Sequence, residues 1–335
     1  MKILVTGGTG YIGSHVVAEL LQDGHEVVIL DNLINSKITA LENIKKITEK
    51  SPTFYHVNLI NYGTVEKVFK DHSFDAVIHF AGLKSVSESI EKPILYYQHN
   101  LTGTINLLKC MQLFHVDKII FSSSATVYGN SNNGKCVETM PTGRNIINPY
   151  GRTKYIIEEI LKDVCTSNPN FSAVALRYFN PVGNHSSGLL GEDPNGIPNN
   201  LMPYIMKVAS GELKELNIYG NDYNTQDGTC RRDFIHVTDL AKGHIAAFEA
   251  LKTPGFKAYN LGTGTPTSVL EMVKAFEKVS KKPLPYRFAP RRPGDLAEIW
   301  ADPGKAQQEL EWQAHLTIED AMKDTLAFLE NHQQI

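Results

Sequence analysis

The stretch from Lys2 to Gly13, KILVTGGTGYIG, constrains this chain more than any other. A short apolar run meets three glycines spaced Gly7-x-x-Gly10-x-x-Gly13, and an apolar-periodic helix is expected from Ser14 to Leu21. Glycine is needed where a turn takes positive φ, where backbone must approach a ligand closely, and where a helix packs tightly on a strand. The helix start that follows offers unpaired N–H groups and the positive end of the helix dipole, which suits a pyrophosphate. The loop, with Tyr11 and Ile12 between its last two glycines, is therefore expected to hold a dinucleotide.

Asp31 supplies the second half of that expectation. It ends the run VVILD, about twenty residues past the glycines, where a carboxylate can accept both hydroxyls of an adenine ribose and would repel a 2′-phosphate. NAD is expected over NADP; a plain strand-end cap is the other reading of the same residue.

Short apolar runs recur at Ile3 to Thr6, Glu26 to Leu30, Thr53 to Val57, Ala76 to Phe80, Lys118 to Ser122, Ala173 to Arg177 and Ala258 to Leu261, separated by helical patterns that include 39–50 and Val237 to Leu251. Strands alternating with helices predict an α/β fold: a Rossmann-type doubly wound parallel sheet of about seven strands, with a smaller mixed C-terminal substrate lobe. A chain of 335 residues accommodates both. The expected division is 1–180 for the dinucleotide domain, with a late return around 235–262, and 181–335 for the smaller lobe. Residues 181–203, PVGNHSSGLLGEDPNGIPNNLMP, read as a long functional loop, and GNDYNTQDGTCRRDF and FAPRRPGDL as turn-rich segments carrying arginines.

Composition excludes several classes. Charged residues at 21% and a net charge of -3 leave no basic excess to attract nucleic acid or an anionic membrane, so small-molecule partners are expected. The N-terminal apolar run meets glycines far short of the 18 or so apolar residues of a membrane span, and no secretory leader is expected. Four scattered cysteines fit a reducing cytosol, and two sequons, at Asn100 and Asn184, read as chance matches. Twelve histidines lack ligand spacing, so no metal is expected.

The segment PYGRTK, 149–154, carries the candidate chemistry. Asn148 can cap a helix, Pro149 suits its first position, and Ile156, Ile157, Ile160 and Leu161 continue at helical spacing, which puts Tyr150 and Lys154 on one face. A surface pair would look the same. Of the 14 tyrosines, only Tyr150 has a lysine four residues later. HFAGLKSV (79–86) and FSSSATVYG (121–129) follow two predicted strands and should line one crevice at the carboxyl edge of the sheet. Ser124 is then a candidate hydroxyl beside the reacting centre, although serines at a strand end also make ordinary turns.

Glycine loop, Asp31, Ser124, Tyr150 and Lys154 in this order resemble the extended short-chain dehydrogenase/reductase family. The resemblance implies that Tyr150 is the acid/base, that Lys154 lowers its pKa and holds the nicotinamide ribose, and that Ser124 shares a hydrogen bond to the reacting oxygen. A phenol titrating near 10 must come down by about three units to work at neutral pH, roughly 4 kcal/mol of preference for the phenolate. One cation could not supply that alone; Lys154 with the positive nicotinamide ring could.

ILDNL (29–33), RYFNPVG (177–183), GIPNNLMPY (196–204), RRDFIHV (231–237) and RRPGDL (291–296) extend the resemblance end to end, toward the members that act on nucleotide sugars. It implies that NAD is held by Gly7, Gly10, Tyr11, Ile12, Gly13, Asp31, Asn32, Asn35, Ser36, Asn58, Leu59, Phe80, Ala81, Gly82, Lys84, Asn100, Ser122 and Tyr178, with Tyr150 and Lys154. It implies a UDP-sugar site from Lys84, Ser124, Phe179, Asn180, Asn199, Asn200, Leu201, Asn217, Tyr219, Arg232, Phe234, Arg292, Asp295 and Ile299. Two arginines can fork onto a diphosphate, and a carboxylate can receive ribose hydroxyls. The implied reaction interconverts UDP-galactose and UDP-glucose through a 4-keto sugar, in a homodimer meeting through 97–115 and 149–165.

Two departures bear on specificity. Asn58-Leu59 stands where many members have Asp-Ile or Asp-Leu near the adenine, which reverses some donor and acceptor roles. Ile299 stands where members vary between bulky aromatic and small residues, and leaves acceptance of an N-acetylated sugar open. A 4,6-dehydratase would need an Asp-Glu pair where this chain has Ala125-Thr126. A catalytically silent dinucleotide sensor would be expected to lose Tyr150, Lys154 or Ser124, and all three are present.

Overall fold

Seven apolar runs become the strands of a single parallel sheet. In the computed structural model, which describes residues 1–130, 134–195, 200–292 and 294–333, they are Lys2–Thr6, Glu26–Asp31, Thr53–His56, Ala76–His79, Lys118–Ser124, Ser172–Tyr178 and Gly255–Leu261. In that chain order the spatial order is seventh, sixth, fifth, fourth, first, second, third, and every pairing is parallel. The order reverses between the first and fourth strands, which opens a crevice at their carboxyl ends.

Side chains alternate across the sheet, and both faces are covered. Ile3, Val5, Val27, Ile29, Ile78 and Ile120 pack in one core with the helices Tyr11–Gln22 and Val237–Ala246. Leu4, Val28, Leu30, Val77, Ile119 and Phe121 pack in the other with the helices Tyr62–Asp71, Gly103–Leu113 and Pro149–Ser167. Two buried faces explain why the strands read as continuous apolar runs.

Boundaries shift for local reasons. The first helix starts at Tyr11, not Ser14, because Gly10 stays extended and the glycine loop itself supplies the first turn. The helix from Val237 stops at Ala246, where Phe248 and Glu249 donate to carbonyls three residues back and the end tightens toward a 3₁₀ turn. Ser124 belongs to its strand and caps the 3₁₀ turn Ala125–Tyr128.

The second lobe is built from short strands and its own core. Thr267–Ser268, Arg231–Arg232, Glu298–Ala301 and Gly134–Cys136 form one small sheet, in that order. Gly134–Cys136 thus joins the C-terminal elements although it precedes residue 180, and Gly255–Leu261 returns to the large sheet. Met202, Ile205, Ile218, Phe234, Met272, Phe276 and Met322 fill the lobe's core. Among the described residues no helix is long and apolar enough to cross a membrane.

Asp233 locks these crossings. Its fully buried carboxylate accepts from the Thr263 N–H (2.8 Å), the Thr263 hydroxyl (2.7 Å), the Gly264 N–H (3.0 Å) and the Ala301 N–H (3.0 Å). Burial raises its pKa against the pull of these donors. Asp233→Ala leaves three backbone N–H donors unsatisfied on two segments, while the Thr263 hydroxyl keeps the Thr265 carbonyl at 3.1 Å, and we expect a loss of at least about 3 kcal/mol, read from urea denaturation. An unchanged midpoint would contradict this role.

Candidate functional site

The glycine loop is tight by necessity. A Cβ on Gly13 would lie 2.2 Å from the Gly7 carbonyl oxygen and 2.9 Å from the Gly8 Cα. Gly7 has φ +72°, and a Cβ there would lie 2.7 Å from the Ala81 nitrogen. The loop of the first strand is thereby pressed against that of the fourth, and the start of Tyr11–Gln22, with no acidic residue in its first turn, opens into the cleft between them.

Asp31 ends the second strand and caps it, accepting from the chain that follows. It lines the cleft, and its carboxylate also accepts from the Thr9 N–H (3.2 Å), the Leu33 N–H (2.9 Å) and the Ser36 hydroxyl (3.3 Å). These contacts tie the glycine loop to the loop after the second strand. Asn58 also lines the cleft; its Oδ1 accepts from the Ile60 N–H at 3.2 Å, so an amide NH2 faces ligands where aspartate would present oxygen.

The cleft brings together Gly7, Gly10, Tyr11, Ile12, Gly13, Asp31, Asn32, Asn35, Ser36, Asn58, Leu59, Phe80, Ala81, Gly82, Lys84, Ser122, Tyr150, Lys154 and Tyr178, as well as Ser124, Phe179 and Asn200. Asn100 serves differently. It sits in a wide π-helical turn, Gln98–Thr102, and is buried; its Oδ1 accepts from the Leu83 N–H (2.8 Å) while its Nδ2 donates to the Leu83 carbonyl (3.1 Å) and the Thr153 hydroxyl (3.0 Å). Its amide is consumed in fixing the loop after the fourth strand against the Tyr150 helix, so it is a support and not part of the wall. A π turn often marks such a site, but nothing in the apolar pattern revealed it.

Asn148 caps the helix Pro149–Ser167 by accepting from the Gly151 N–H at 2.7 Å. Burial raises the Tyr150 pKa, and the neighbouring Ser124 hydroxyl pulls it the other way. Lys154, 6% exposed, donates to the Ser122 carbonyl at 2.5 Å and lies 5.8 Å from the centre of the Tyr150 ring. Burial lowers its pKa to about 7. The polypeptide's own groups therefore favour the neutral phenol, in keeping with the expectation that one cation is not enough.

A second group lies in the smaller lobe, outside that wall. Arg292 Nε donates to Asp295 at 2.8 Å, Arg232 Nη2 is 3.7 Å from the same carboxylate, and the Arg292 guanidinium is 5.0 Å from the centre of the Tyr219 ring. Ile299 pairs in register with Arg232 and packs in a cluster with Phe179, which does line the cleft. Asn180 lies on the strand beside Pro181, and its N–H donates to the Asp233 carbonyl at 3.0 Å. Three further expected contacts lie outside the cleft's lining. Phe234 is 5% exposed in the lobe's core, because alternation on its short strand turns it inward. Leu201 packs against that same core, and Asn217 accepts from Arg287 Nε at 2.7 Å. Asn199 lies outside the described residues.

Sequence reading missed Glu192. This carboxylate, 5% exposed, accepts from both Lys84 Nζ (2.9 Å) and Asn200 Nδ2 (2.6 Å), and so joins two expected ligand-binding residues across the cleft. Only its place in the GEDP turn of the long loop could have drawn notice. Thr126 also lines the cleft, and its buried hydroxyl has no partner among the described residues.

The donor set fits a dinucleotide: a glycine loop with no room for side chains, a helix start, and a carboxylate at the second strand's end. Lys154 also yields a pH prediction. The unfolded chain binds the lysine proton with a pKa near 10.5, more tightly than the buried amine near 7, so in protein stripped of bound nucleotide stability should rise as pH goes from 7 to 10.5. Lys154→Met should raise stability at neutral pH by a few kcal/mol, up to about 5, and flatten that rise. Denaturation curves across this range test it; an equally pH-dependent variant would refute it.

Residues 3–262 match the family described as NAD dependent epimerase/dehydratase. The chain is 56% identical over 326 residues to a UDP-glucose 4-epimerase of Bacillus subtilis (strain 168), covering 97% of this chain and 96% of the relative. It is 52% identical over 330 residues to the Homo sapiens UDP-glucose 4-epimerase, covering 96% and 94%. It superposes with a TM-score of 0.95 on a UDP-glucose 4-epimerase from Bifidobacterium longum in complex with NAD+ and UDP, 51% identical, covering 100% of this chain and 99% of that one. On sequence, fold and cleft alike, the chain belongs to the NAD dependent epimerase/dehydratase family.

Proposed function

We propose that this protein is an NAD-dependent isomerase that interconverts UDP-galactose and UDP-glucose by inverting C4. The observation that carries the proposal is the meeting of Ser124, Tyr150 and Lys154 on the wall of the cleft that begins at the glycine loop. Residues 1–180, with the return at 235–262, hold NAD, and 181–335 hold most of the UDP-sugar.

NAD+ bound in this cleft supplies a reversible hydride acceptor for the sugar C4. Tyr150 takes the proton of the 4-hydroxyl, and Ser124 donates a hydrogen bond to the same oxygen as it becomes a carbonyl. Lys154, pinned to Ser122, favours the phenolate once a second positive charge stands nearby. The 4-keto sugar then turns about its link to UDP and receives hydrogen on its other face. Arg232 and Arg292 suit the diphosphate, with Asp295 holding both guanidinium groups in place. Firm binding of UDP and loose binding of the hexose permit the turn.

Exposed apolar residues on the helix Gly103–Leu113 support a homodimer through 97–115 and 149–165: Ile105 is 39% exposed and Leu113 53%. A protein that sediments only as a monomer at micromolar concentration would contradict this. The four unpaired cysteines support a reducing compartment, the cytosol.

Purified protein should convert UDP-galactose to UDP-glucose without consuming added NAD, and Tyr150→Phe should lower turnover by at least about 100-fold while bound dinucleotide is retained. Absence of conversion by protein shown to carry NAD would overturn the proposal. The same assay with UDP-N-acetylgalactosamine decides whether Ile299 beside Phe179 leaves room for the larger sugar.

A further inference from the structure

Behind the cleft wall, reached from it only through Ser123, lies a charged network. Glu158 and Arg177 are 0% and 3% exposed. Arg177 Nε donates to Glu158 Oε1 at 3.0 Å and Nη2 to Oε2 at 2.7 Å, a two-pronged pairing. The Ser123 hydroxyl donates to Glu158 Oε1 at 2.5 Å. Arg177 Nη1 donates to the Tyr128 hydroxyl at 3.0 Å, Tyr128 donates to Asn260 Oδ1 at 2.7 Å, and Asn260 Nδ2 donates to the Cys136 carbonyl at 2.9 Å.

The placement of its members is specific. Ser123 precedes Ser124 on the fifth strand, and Arg177 precedes Tyr178 on the sixth. Glu158 continues the face of Tyr150 and Lys154, one turn beyond the lysine. Cys136 lies on the strand that pairs with Glu298–Ala301, which carries Ile299. One network therefore grips the helix and both strands next to their reactive residues, and reaches the small lobe.

Stability does not explain such a pair. Desolvating two charges costs about as much as their attraction returns, and well-packed apolar replacements are often neutral or stabilising. A pair kept under those conditions suits a task that apolar contacts perform poorly. Apolar surfaces slide, whereas a two-pronged ion pair fixes both distance and direction.

We propose that Glu158 and Arg177 are positioning residues for proton transfer, holding Ser124, Tyr150 and Lys154 in mutual register through the ends of two strands and one helix. They touch neither sugar nor dinucleotide, and the inference rests on the function proposed above.

The decisive variant replaces both charges at once. Glu158→Leu with Arg177→Met should fold with a urea midpoint no lower than wild type, retain bound dinucleotide, and keep KM for UDP-galactose within about twofold, while kcat falls at least tenfold. A folded, loaded double variant with kcat within twofold of wild type overturns the inference. If the double variant fails to fold, Ser123→Ala decides. It removes one hydrogen bond of the network and no charge, and should lower kcat at least threefold at unchanged KM; unchanged kcat overturns the inference. Wild-type protein without turnover overturns the proposed function and this inference together, whereas active variants overturn this inference alone.

Discussion

The contact that the rest of this structure depends on is the closure of the glycine loop upon itself and its neighbour. Gly13 lies where any side chain would meet the Gly7 carbonyl, and Gly7 lies where any side chain would meet the backbone of Ala81. Because the strand order reverses between the first and fourth strands, pressing their loops together makes the floor of a cleft instead of filling it. The cleft's outer wall then comes from residues that follow other strands, Asp31 after the second and Ser122 to Ser124 at the end of the fifth. A single steric demand thus places a helix start, a carboxylate and a set of hydroxyls around one space.

Charge in this space is managed by burial. The cleft contains a lysine whose pKa is driven to about 7 and a tyrosine whose pKa is driven up, both by removal from water. These shifts oppose the ionised pair that the proposed mechanism uses, so the protein alone favours the neutral phenol. A cationic ring brought close would reverse the preference at the phenol, which couples the presence of the cofactor to the readiness of the base. Lys84, also on the cleft wall, has its charge met by the nearly buried carboxylate of Glu192 at 2.9 Å.

Much of the site was legible because its residues act through local spacing. The helix cap at Asn148, the shared face of Tyr150 and Lys154, and the seven strands follow from patterns within a dozen residues, and each has the expected position within a residue or two, except that the seventh strand begins three residues early, at Gly255. Resemblance added the arginines of the second lobe, which spacing alone left as ordinary surface charges. The bonds of Asn100 to Leu83 and Thr153 were not legible, because both partners are far off in sequence. The burial of Phe234 was not legible because a three-residue strand carries too little alternation to tell inside from outside.

The sequence by itself determined the doubly wound sheet, the tight glycine loop and the helix face that Tyr150 and Lys154 share, since backbone sterics and side-chain periodicity act between near neighbours. Only the tertiary structure decided which buried groups meet across the sheet. Glu158 reads in the sequence as one more charge on a helix, and Arg177 as a strand residue before a tyrosine. Their pairing, its bond to Ser123, and the bridge of Glu192 between Lys84 and Asn200 depend on segments separated by tens of residues. No local pattern encodes those distances; they are fixed when the sheet is assembled and water is driven out.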